Sequence, residues 1–309
     1  MLELLAAILA LAALYTQARK REVEAAYPPL GCLVDLGWGK IHAVEHGKEH
    51  GGTPVVLIHG ASGNVRDMTE SLVPVLARSH HVIAFDRPGY GWSDRPGGEW
   101  CDPLDQARLL KRALTTMGIS GKPLVAGHSW GAAVALAWAL DSPGQVAGVV
   151  SISGATHPFP GGVAAYRKFA GLPLIGPLFA YTLMVPIAER LIDKGVESTF
   201  WPDPPTPAYS DRIGVKLLLR PRQFLLDAQD VRKLRPFLAG QAPRYPGLAV
   251  PLTVITGNRD RVVGPKIHAY PLARKAPRAK LVKFKNCGHT PHHVHTEGVA
   301  AAILATLDP

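Results

Sequence analysis

The sequence predicts an α/β protein whose doubly wound, mostly parallel sheet carries an inserted helical cap and follows a hydrophobic N-terminal helix. Short apolar runs alternate with helical patterns along most of the chain, as in parallel strands that helices cover on both faces. This alternation lapses for about 100 residues between Ile152 and Leu252. The first 18 residues carry no charge except at Glu3. These three observations define the sheet, the insertion and the N-terminal helix.

The N-terminal segment, residues 1–18, is predicted to be an uncleaved membrane anchor. Eighteen helical residues are near the minimum that spans the apolar core of a bilayer. A signal peptide would begin with positive charge and end in small residues, whereas here Arg19, Lys20 and Arg21 follow the apolar stretch. Positive charges stay on the cytoplasmic side, so we expect the body of the protein there. A cleaved signal peptide and a soluble helix packed on the body remain open alternatives.

Eight segments are predicted as strands. The first two flank Gly37–Gly39 and indicate a β-hairpin, and the other six are continuous apolar runs typical of strands buried on both faces. Helices are predicted over 67–78, 103–117 and 131–141, the second with Pro103 in its first turn. The predicted strands are Leu33–Asp35, Lys40–Glu45, Val55–His59, His81–Asp86, Leu124–His128, Val146–Ile152, Leu252–Thr256 and Lys280–Phe284.

The lapse in the alternation predicts a helical cap, because it is rich in proline and aromatic residues and sheet strands bracket it. Ligands of open α/β sheets bind at the carboxyl ends of the strands, so we expect the cap to cover that edge. The predicted division is an anchor at 1–18, a core formed by 19–156 and 247–309, and a cap at 157–246.

Charge and cysteine content narrow the class of protein. Lys and Arg number 34 against 24 Asp and Glu, and the excess lies in residues 206–309, with 17 basic and 6 acidic side chains. A membrane-attracted face and an ordinary solvated face both remain open. The sequence shows no nucleic-acid-binding motif, so we expect no nucleic acid partner. Cys32, Cys101 and Cys287 form no disulfide framework and are expected to be reduced.

The sequence GHSWG at 127–131 predicts a serine nucleophile. It follows a buried strand and opens an Ala-rich helix, which is the strand, turn and helix context in which G-x-S-x-G exposes a serine hydroxyl. The flanking glycines allow the sharp turn. The alternative is an ordinary Gly-rich turn between a strand and a helix. We assign Ser129 as the nucleophile because a candidate acid and a candidate histidine follow it along the chain.

A serine nucleophile needs a base, and the base needs an orienting carboxylate. Asp260 and His289 each follow a predicted strand, in the chain order Ser, acid, His. For Asp260 the alternative is a loop carboxylate paired with a neighbouring arginine. The rivals of His289 are His292, His293 and His295, but Gly288 and the short loop favour His289. We predict Ser129, Asp260 and His289 as catalytic.

Backbone donors and a pocket are predicted around this serine. The sequence HGASG at 59–63 ends a buried strand, and its tight turn would point N–H groups at a developing oxyanion, so Ala61 and Trp130 are assigned as donors. A plain turn is the alternative. Asp86, in the next Gly-rich loop, is assigned a structural role. The predicted pocket residues, for which ordinary packing is the alternative, are Gly60, Trp92, Phe159 and Trp201.

In their order, the motifs HGASG, DRPGYG, GHSWG, GNRD and CGHT resemble those of the α/β-hydrolase superfamily, in its cap-containing branch with a serine nucleophile. The resemblance covers nearly everything after residue 28 except the cap. It implies the triad named above, acyl transfer to water through an acyl-enzyme, and no cofactor. An aspartate in place of Ser129 would imply an epoxide hydrolase or a haloalkane dehalogenase, so the serine argues against both. Prolyl aminopeptidases have a similar G-x-S-W-G turn but usually carry glycine where this chain has His128, which makes a peptidase a weaker alternative.

The predicted function is hydrolysis of a carboxylic ester with an apolar or lipid-like acyl group. The alternatives are the same triad acting on amide, peptide, thioester or C–C bonds, cofactor-free perhydrolysis, and a binding protein without activity. The expected partners are a small-molecule or lipid ester and an anionic membrane surface. We expect no metal, because the histidines at 289, 292, 293 and 295 cannot share one helix face and complete no known ligand spacing. The sequence indicates no oligomeric state.

Overall fold

A computed structural model of the chain describes residues 1–97, 102–162 and 164–307. It contains an eight-stranded sheet with the strand order β1-β2-β4-β3-β5-β6-β7-β8. The first two strands form the predicted hairpin, β2 pairs with β4 in antiparallel fashion, and all later pairs are parallel. The strands are β1 Cys32–Asp35, β2 Lys40–His46, β3 Val55–Ile58, β4 Val82–Phe85, β5 Leu124–His128, β6 Gly148–Ile152, β7 Leu252–Gly257 and β8 Ala279–Phe284.

Fourteen α-helices lie within the described residues, and short 3₁₀ segments lie at Lys48–His50, Val215–Leu219 and Ala242–Gly247. The helices are α1 Leu2–Ala26, α2 Arg66–Thr69, α3 Val73–Leu76, α4 Pro103–Thr116, α5 Trp130–Asp141, α6 Ala165–Ala170, α7 Ile175–Tyr181, α8 Met184–Ala188, α9 Ile192–Phe200, α10 Tyr209–Arg212, α11 Pro221–Gln241, α12 Ala269–Lys275, α13 Pro291–Val294 and α14 Thr296–Leu304.

The sheet is covered on both faces, which confirms the predicted doubly wound class. Successive side chains of a strand point to opposite faces, and Val56 and Val55 of β3 belong to two separate apolar clusters. The first cluster contains buried residues of α4, α5 and α12, and the second contains residues of α3 and α14. All four residues of β3 are buried, as the continuous apolar run predicted, whereas the same prediction is wrong for the edge strand β8, which has no buried residue.

The predicted helix over 67–78 is wrong, because this segment forms the two short helices α2 and α3. The break precedes Pro74, which lies in the first turn of α3. A proline ring has no N–H and clashes with the carbonyl group four residues earlier, which here belongs to Glu70. Glu70 is the residue that follows α2.

Helices α6–α11 occupy the chain between β6 and β7, where the sequence predicts the cap. They have apolar clusters of their own. One contains Ala180, Met184 and Phe224, and a smaller one contains Phe200 and Tyr209. The predicted cap boundaries at 157 and 246 remain a prediction.

Helix α1 stands largely outside the body of the protein. It is long and apolar enough to cross a membrane, and among its residues Thr16 and Val23 are buried. Its C-terminal half packs beside α7 and α8, where the Thr16 hydroxyl donates to the Thr182 carbonyl at 3.0 Å. The exposed apolar residues of its N-terminal half are Leu2, Leu4, Leu5, Ile8, Leu11 and Leu14. The N-terminal half of α1 is thus exposed while its C-terminal half packs on the body, and the membrane anchor and the packed helix both stay predictions.

Two of the three cysteines lie in the described residues, and both are free thiols. Cys32 is exposed, whereas Cys287 is buried, and burial raises the pKa of the Cys287 thiol to about 12. Cys101 lies outside the described residues.

Candidate active site

Ser129 lies at a strained turn between β5 and α5. Its φ is 51° and its ψ is −113°, which a residue with a side chain rarely adopts. Gly127 and Gly131 make the turn possible, because a Cβ atom on Gly127 would lie 2.1 Å from the Gly131 carbonyl oxygen, and one on Gly131 would lie 2.4 Å from that of Ile58. Strain of this kind costs about 1–3 kcal/mol and is typical of functional sites.

Neighbouring strands hold this turn in place. The Ser129 amide donates to the Ile152 carbonyl at the end of β6 at 2.9 Å, and the Ala155 amide donates to the Ser129 carbonyl at 3.1 Å. The turn is thus fixed at the carboxyl edge of the sheet. Ser129 is buried, with 9% of its surface exposed.

Asp260 and His289 form a buried pair. Asp260 follows β7 and His289 follows β8, and His289 Nδ1 lies 2.8 Å from Asp260 Oδ2. A carboxylate only accepts, so Nδ1 carries the proton and Nε2 is left as a base. The other oxygen, Oδ1, accepts from the Val262 and Val263 amides at 2.8 Å each. Both carboxylate oxygens of Asp260 therefore have donors, which fixes the orientation of the imidazole.

The histidine loop is tied to the serine turn. His128 Nε2 donates to the His289 carbonyl at 3.0 Å, and the two imidazole rings are 4.7 Å apart between centroids. Gly288 permits close approach of the insertion, because a Cβ atom there would lie 2.1 Å from the Trp201 carbonyl oxygen. The structure therefore brings the loops of all three predicted catalytic residues together at one edge of the sheet.

The predicted oxyanion loop lies against Ser129. A Cβ atom on Gly60 would lie 3.1 Å from Ser129 Cβ, so the loop packs directly on the serine. Within the described residues, the amides of Ala61 and Trp130 donate to no protein acceptor. Free N–H groups beside a nucleophile are what an oxyanion requires.

The other predicted pocket residues lie in different places. Trp201 packs on the His289 loop through its backbone, and its ring lies against Arg261. Phe159 lines a cavity of about 240 Å³ and contacts the His268 ring, with centroids 5.9 Å apart. Trp92 donates from its indole to the Tyr27 carbonyl at 2.9 Å, which places this side chain against the segment that follows α1.

A buried ion network under the insertion was not foreseen. Arg87, with no exposed surface, binds Asp230 of α11 at 3.1 Å, and Arg95 binds the same carboxylate at 2.7 Å. The next acidic residue of α11, Asp227, accepts from the Ser62 amide at 2.7 Å. These contacts lock α11 onto the oxyanion loop. Removing one partner of such a buried network leaves a charge unpaired, at a cost of about 3–5 kcal/mol.

Asp86 is buried and fully hydrogen-bonded, as its assigned structural role requires. It accepts from the Val65 amide at 2.7 Å, from the Trp92 amide at 2.8 Å and from His42 Nδ1 at 2.7 Å. Burial alone would raise its pKa, but the His42 hydrogen bond and charge outweigh burial, and the pKa of Asp86 is lowered.

The remaining histidines of the same loop do not compete for Asp260. His292 and His293 bind Asp67, at 3.3 Å and 2.7 Å, and His295 stacks on Phe284. Burial would raise the pKa of Asp67, but the charges and hydrogen bonds of His292 and His293 hold it well below its usual value. Asp67 was not predicted as a site residue, because its segment was predicted as one helix.

Comparison with known proteins places this geometry in a family. A family model described as the alpha/beta hydrolase fold matches residues 53–296. Haloalkane dehalogenase 2 of Mycobacterium tuberculosis is 26% identical over 282 residues, which covers 90% of this chain and 95% of that protein. The 2-hydroxy-6-oxo-6-phenylhexa-2,4-dienoate hydrolase of Burkholderia cepacia is 28% identical over 267 residues, covering 84% and 87%.

Among solved structures, one titled as a membrane phospholipase A and bacterial virulence factor is 25% identical. It matches with a TM-score of 0.70 and covers 99% of this chain and 96% of that chain. The match thus includes α1 as well as the sheet. Motif order, sheet topology and the family match agree, and the chain belongs to the α/β hydrolase fold family.

Proposed function

We propose that this protein is a serine hydrolase that cleaves carboxylic esters with apolar acyl groups through an acyl-enzyme. One observation carries the proposal. The strained turn at Ser129 lies beside free backbone donors, in a loop that His128 ties to the oriented pair of Asp260 and His289. Nucleophile, base, orienting acid and oxyanion donors are the complete set that acyl transfer needs.

In this mechanism His289 Nε2 takes the proton of Ser129, and the alkoxide attacks the carbonyl carbon of the ester. The amides of Ala61 and Trp130 bind the oxyanion of the tetrahedral intermediate. His289 then protonates the leaving alcohol, and a water molecule repeats the cycle on the acyl-enzyme. Asp260 holds the imidazole in the required tautomer and stabilises its charged form.

The identity of the nucleophile argues against dehalogenation, although a dehalogenase is among the similar proteins. A carboxylate that displaces a halide forms an ester, which water can hydrolyse. A serine would form an ether, which the same machinery cannot cleave. Ser129 instead suits a carbonyl substrate, whose tetrahedral intermediate collapses with loss of the alcohol.

The surface of the insertion favours a lipid-like ester. Helices α7 and α8 lie beside α1, so a membrane that holds residues 2–14 would also meet their outer surface. A surface that exposes many apolar side chains is typical of membrane contact. Its exposed apolar residues are Leu172, Leu174, Ile175, Leu178, Leu183, Ile187 and Leu191. We propose that the body of the protein lies on the cytoplasmic side, because Arg19–Arg21 are positively charged.

Hydrolysis of p-nitrophenyl esters from acetate to palmitate, with and without anionic vesicles, tests the proposal. The wild type is compared with Ser129→Ala and with Ser142→Ala, a matched control at the opposite end of α5. Activity should fall by about 10⁶-fold in Ser129→Ala, by analogy with measured triads, and stay in Ser142→Ala. It should also rise with acyl length and with vesicles. Absence of serine-dependent ester hydrolysis in folded protein would contradict the proposal and favour an amide or C–C bond.

A further inference from the structure

Beside the predicted triad lies a second cluster of imidazoles around one carboxylate. Asp67 at the start of α2, His128 before the nucleophile and His292 in α13 are all buried. Asp67 Oδ2 lies 3.3 Å from His292 Nε2 and 3.8 Å from His128 Nδ1. The ligand atoms that these three side chains offer lie within 4.8 Å of one another.

Hydrogen bonding fixes which atom of His128 faces the carboxylate with a lone pair. Its Nε2 donates to the His289 carbonyl, which only accepts, so Nε2 carries the proton. In the neutral ring Nδ1 is then an acceptor, and it lies 3.8 Å from Asp67 Oδ2, also an acceptor. Within the described residues His128 Nδ1 has no hydrogen-bond partner. Two buried acceptors that face each other are unfavourable unless a proton or a cation lies between them.

A proton on His128 Nδ1 is a weaker way to separate the two acceptors than a cation. The 3.8 Å between His128 Nδ1 and Asp67 Oδ2 is too long for a hydrogen bond. His292 does not fill the gap, since its Nε2 is already 3.3 Å from the same oxygen and its Nδ1 has no partner in the described residues.

We propose that Asp67 Oδ2, His128 Nδ1 and His292 Nε2 bind a divalent transition-metal ion of the Zn²⁺ class, and that this ion replaces the hydrogen bond between His292 Nε2 and Asp67 Oδ2. Metal–ligand distances of about 2.0–2.1 Å in tetrahedral geometry place neighbouring ligand atoms about 3.4 Å apart. Of the three separations, the two that involve Asp67 Oδ2, 3.3 Å and 3.8 Å, are close to this value, and none of the three exceeds 4.8 Å. Two imidazoles and one carboxylate favour zinc, iron or nickel over calcium or magnesium, which prefer oxygen ligands.

The surroundings of the cluster match those of metal ligands in proteins. Ligating histidines usually donate their other ring N–H to a carbonyl or carboxylate, and His128 does so to His289. Ligating carboxylates are themselves hydrogen-bonded, and Asp67 Oδ1 accepts from His293 Nε2 at 2.7 Å and from the Tyr209 hydroxyl at 3.2 Å.

Such an ion would connect three segments that surround the serine. It would join α2, the residue before Ser129 and the loop that carries His289. Its role would be to position the active site, and the ion takes no part in the acyl transfer proposed above. The metal site does not depend on which bond Ser129 attacks, so it can be tested separately from the esterase activity.

Metal content is measured on the full-length protein in detergent, produced without a polyhistidine tag in medium supplemented with zinc or cobalt. Elemental analysis should give about one equivalent of metal per chain, and the Co²⁺ form should show the visible absorption of a four- or five-coordinate site. His292→Ala and His128→Gln should lose at least nine-tenths of this metal. His295→Ala, a change in the same loop outside the cluster, should keep it, as should Ser129→Ala.

Wild-type protein alone can overturn the proposal, whether or not the variants fold. Less than about one tenth of an equivalent in folded wild type after growth in zinc or cobalt would exclude the site. Equal metal in wild type and in a folded His292→Ala variant would also overturn it, because the ion would then bind elsewhere.

Discussion

Two clusters of imidazole and carboxylate lie side by side in this protein, and their stoichiometry differs. In the first, Asp260 receives one imidazole and two amides, so both of its oxygens and His289 Nδ1 have partners. In the second, Asp67 faces His128, His292 and His293, and ring nitrogens remain without partners in the described residues. One imidazole on one carboxylate gives the first cluster an oriented base. Three imidazoles around one carboxylate leave ring nitrogens in the second cluster that could bind a cation.

The largest effect that separates the two clusters is expected from removing the charge of each carboxylate. Asp260→Asn should lower kcat by about 10⁴-fold, because the amide stabilises the wrong tautomer of His289. Asp67→Asn should lower it by about 100-fold or less, since Asp67 acts only through its neighbours. Steady-state kinetics on one p-nitrophenyl ester measures kcat for both variants and the wild type. Equal losses in both variants would mean that the assignment of the catalytic acid is wrong.

A second comparison concerns how the insertion is held over the first cluster. Gly288→Ala should destabilise the protein by about 3 kcal/mol or more, because the new Cβ would meet the backbone oxygen of Trp201 at 2.1 Å. Gly195→Ala is the matched control, since a Cβ there meets nothing within 4 Å and alanine is the better helix former. Melting temperatures should fall for the first variant and stay or rise for the second. An unchanged melting temperature in Gly288→Ala would contradict the close packing of Gly288 against the Trp201 carbonyl.

His292→Ala should lower activity by about 10–100-fold, the usual loss when a group that orients an active site is removed. The effect should fall on kcat rather than on KM, because the substrate does not touch His292 in this account. His295→Ala is the control in the same loop. A loss confined to KM would instead place His292 in the binding pocket.

The smallest effect concerns buried imidazoles outside both clusters. Burial, with like charges nearby, lowers the pKa values of His59 and His268 to about 4. Their folded pKa lies below the unfolded value of about 6.5, so the unfolded state binds more protons between these values. The free energy of unfolding should therefore fall as the pH drops from 7 to 5, by about 2 kcal/mol per ring at pH 5.

Melting temperatures at pH 7.5 and 5.5 test this dependence. His268→Asn removes one of the two rings and retains an acceptor for the Thr156 amide, which His268 Nδ1 accepts at 3.1 Å. The variant should show a smaller drop between the two pH values than wild type. A melting temperature that rises toward pH 5.5 would contradict the predicted loss of stability at low pH.

Local patterns predicted the first cluster and could not predict the second. Ser129, Asp260 and His289 each follow a strand that a continuous apolar run identifies, so the sheet topology brings their loops together. Asp67 and His128 carry no local signal of a shared site, because only the packing of α2 against the serine turn makes them neighbours. The pairing of Arg87 with Asp230 is equally long-range.

Other differences follow from signals that compete. Pro74 was present in the sequence and marks the break between α2 and α3, but the prediction of one helix took no account of this proline. Trp92 was predicted as a pocket residue because it is aromatic and lies near a motif. Its indole N–H donates to the Tyr27 carbonyl. Aromatic residues near a motif thus do not reveal whether they face the substrate or a neighbouring helix.

Covalent labelling with a fluorophosphonate, followed by mass spectrometry of the peptides, tests the central claim most directly. We predict one added phosphonyl group on Ser129 in the wild type, none in Ser129→Ala and much slower labelling in Asp260→Asn. Label on another residue, or none on folded wild type, would contradict the assignment of Ser129 as the nucleophile that Asp260 and His289 activate.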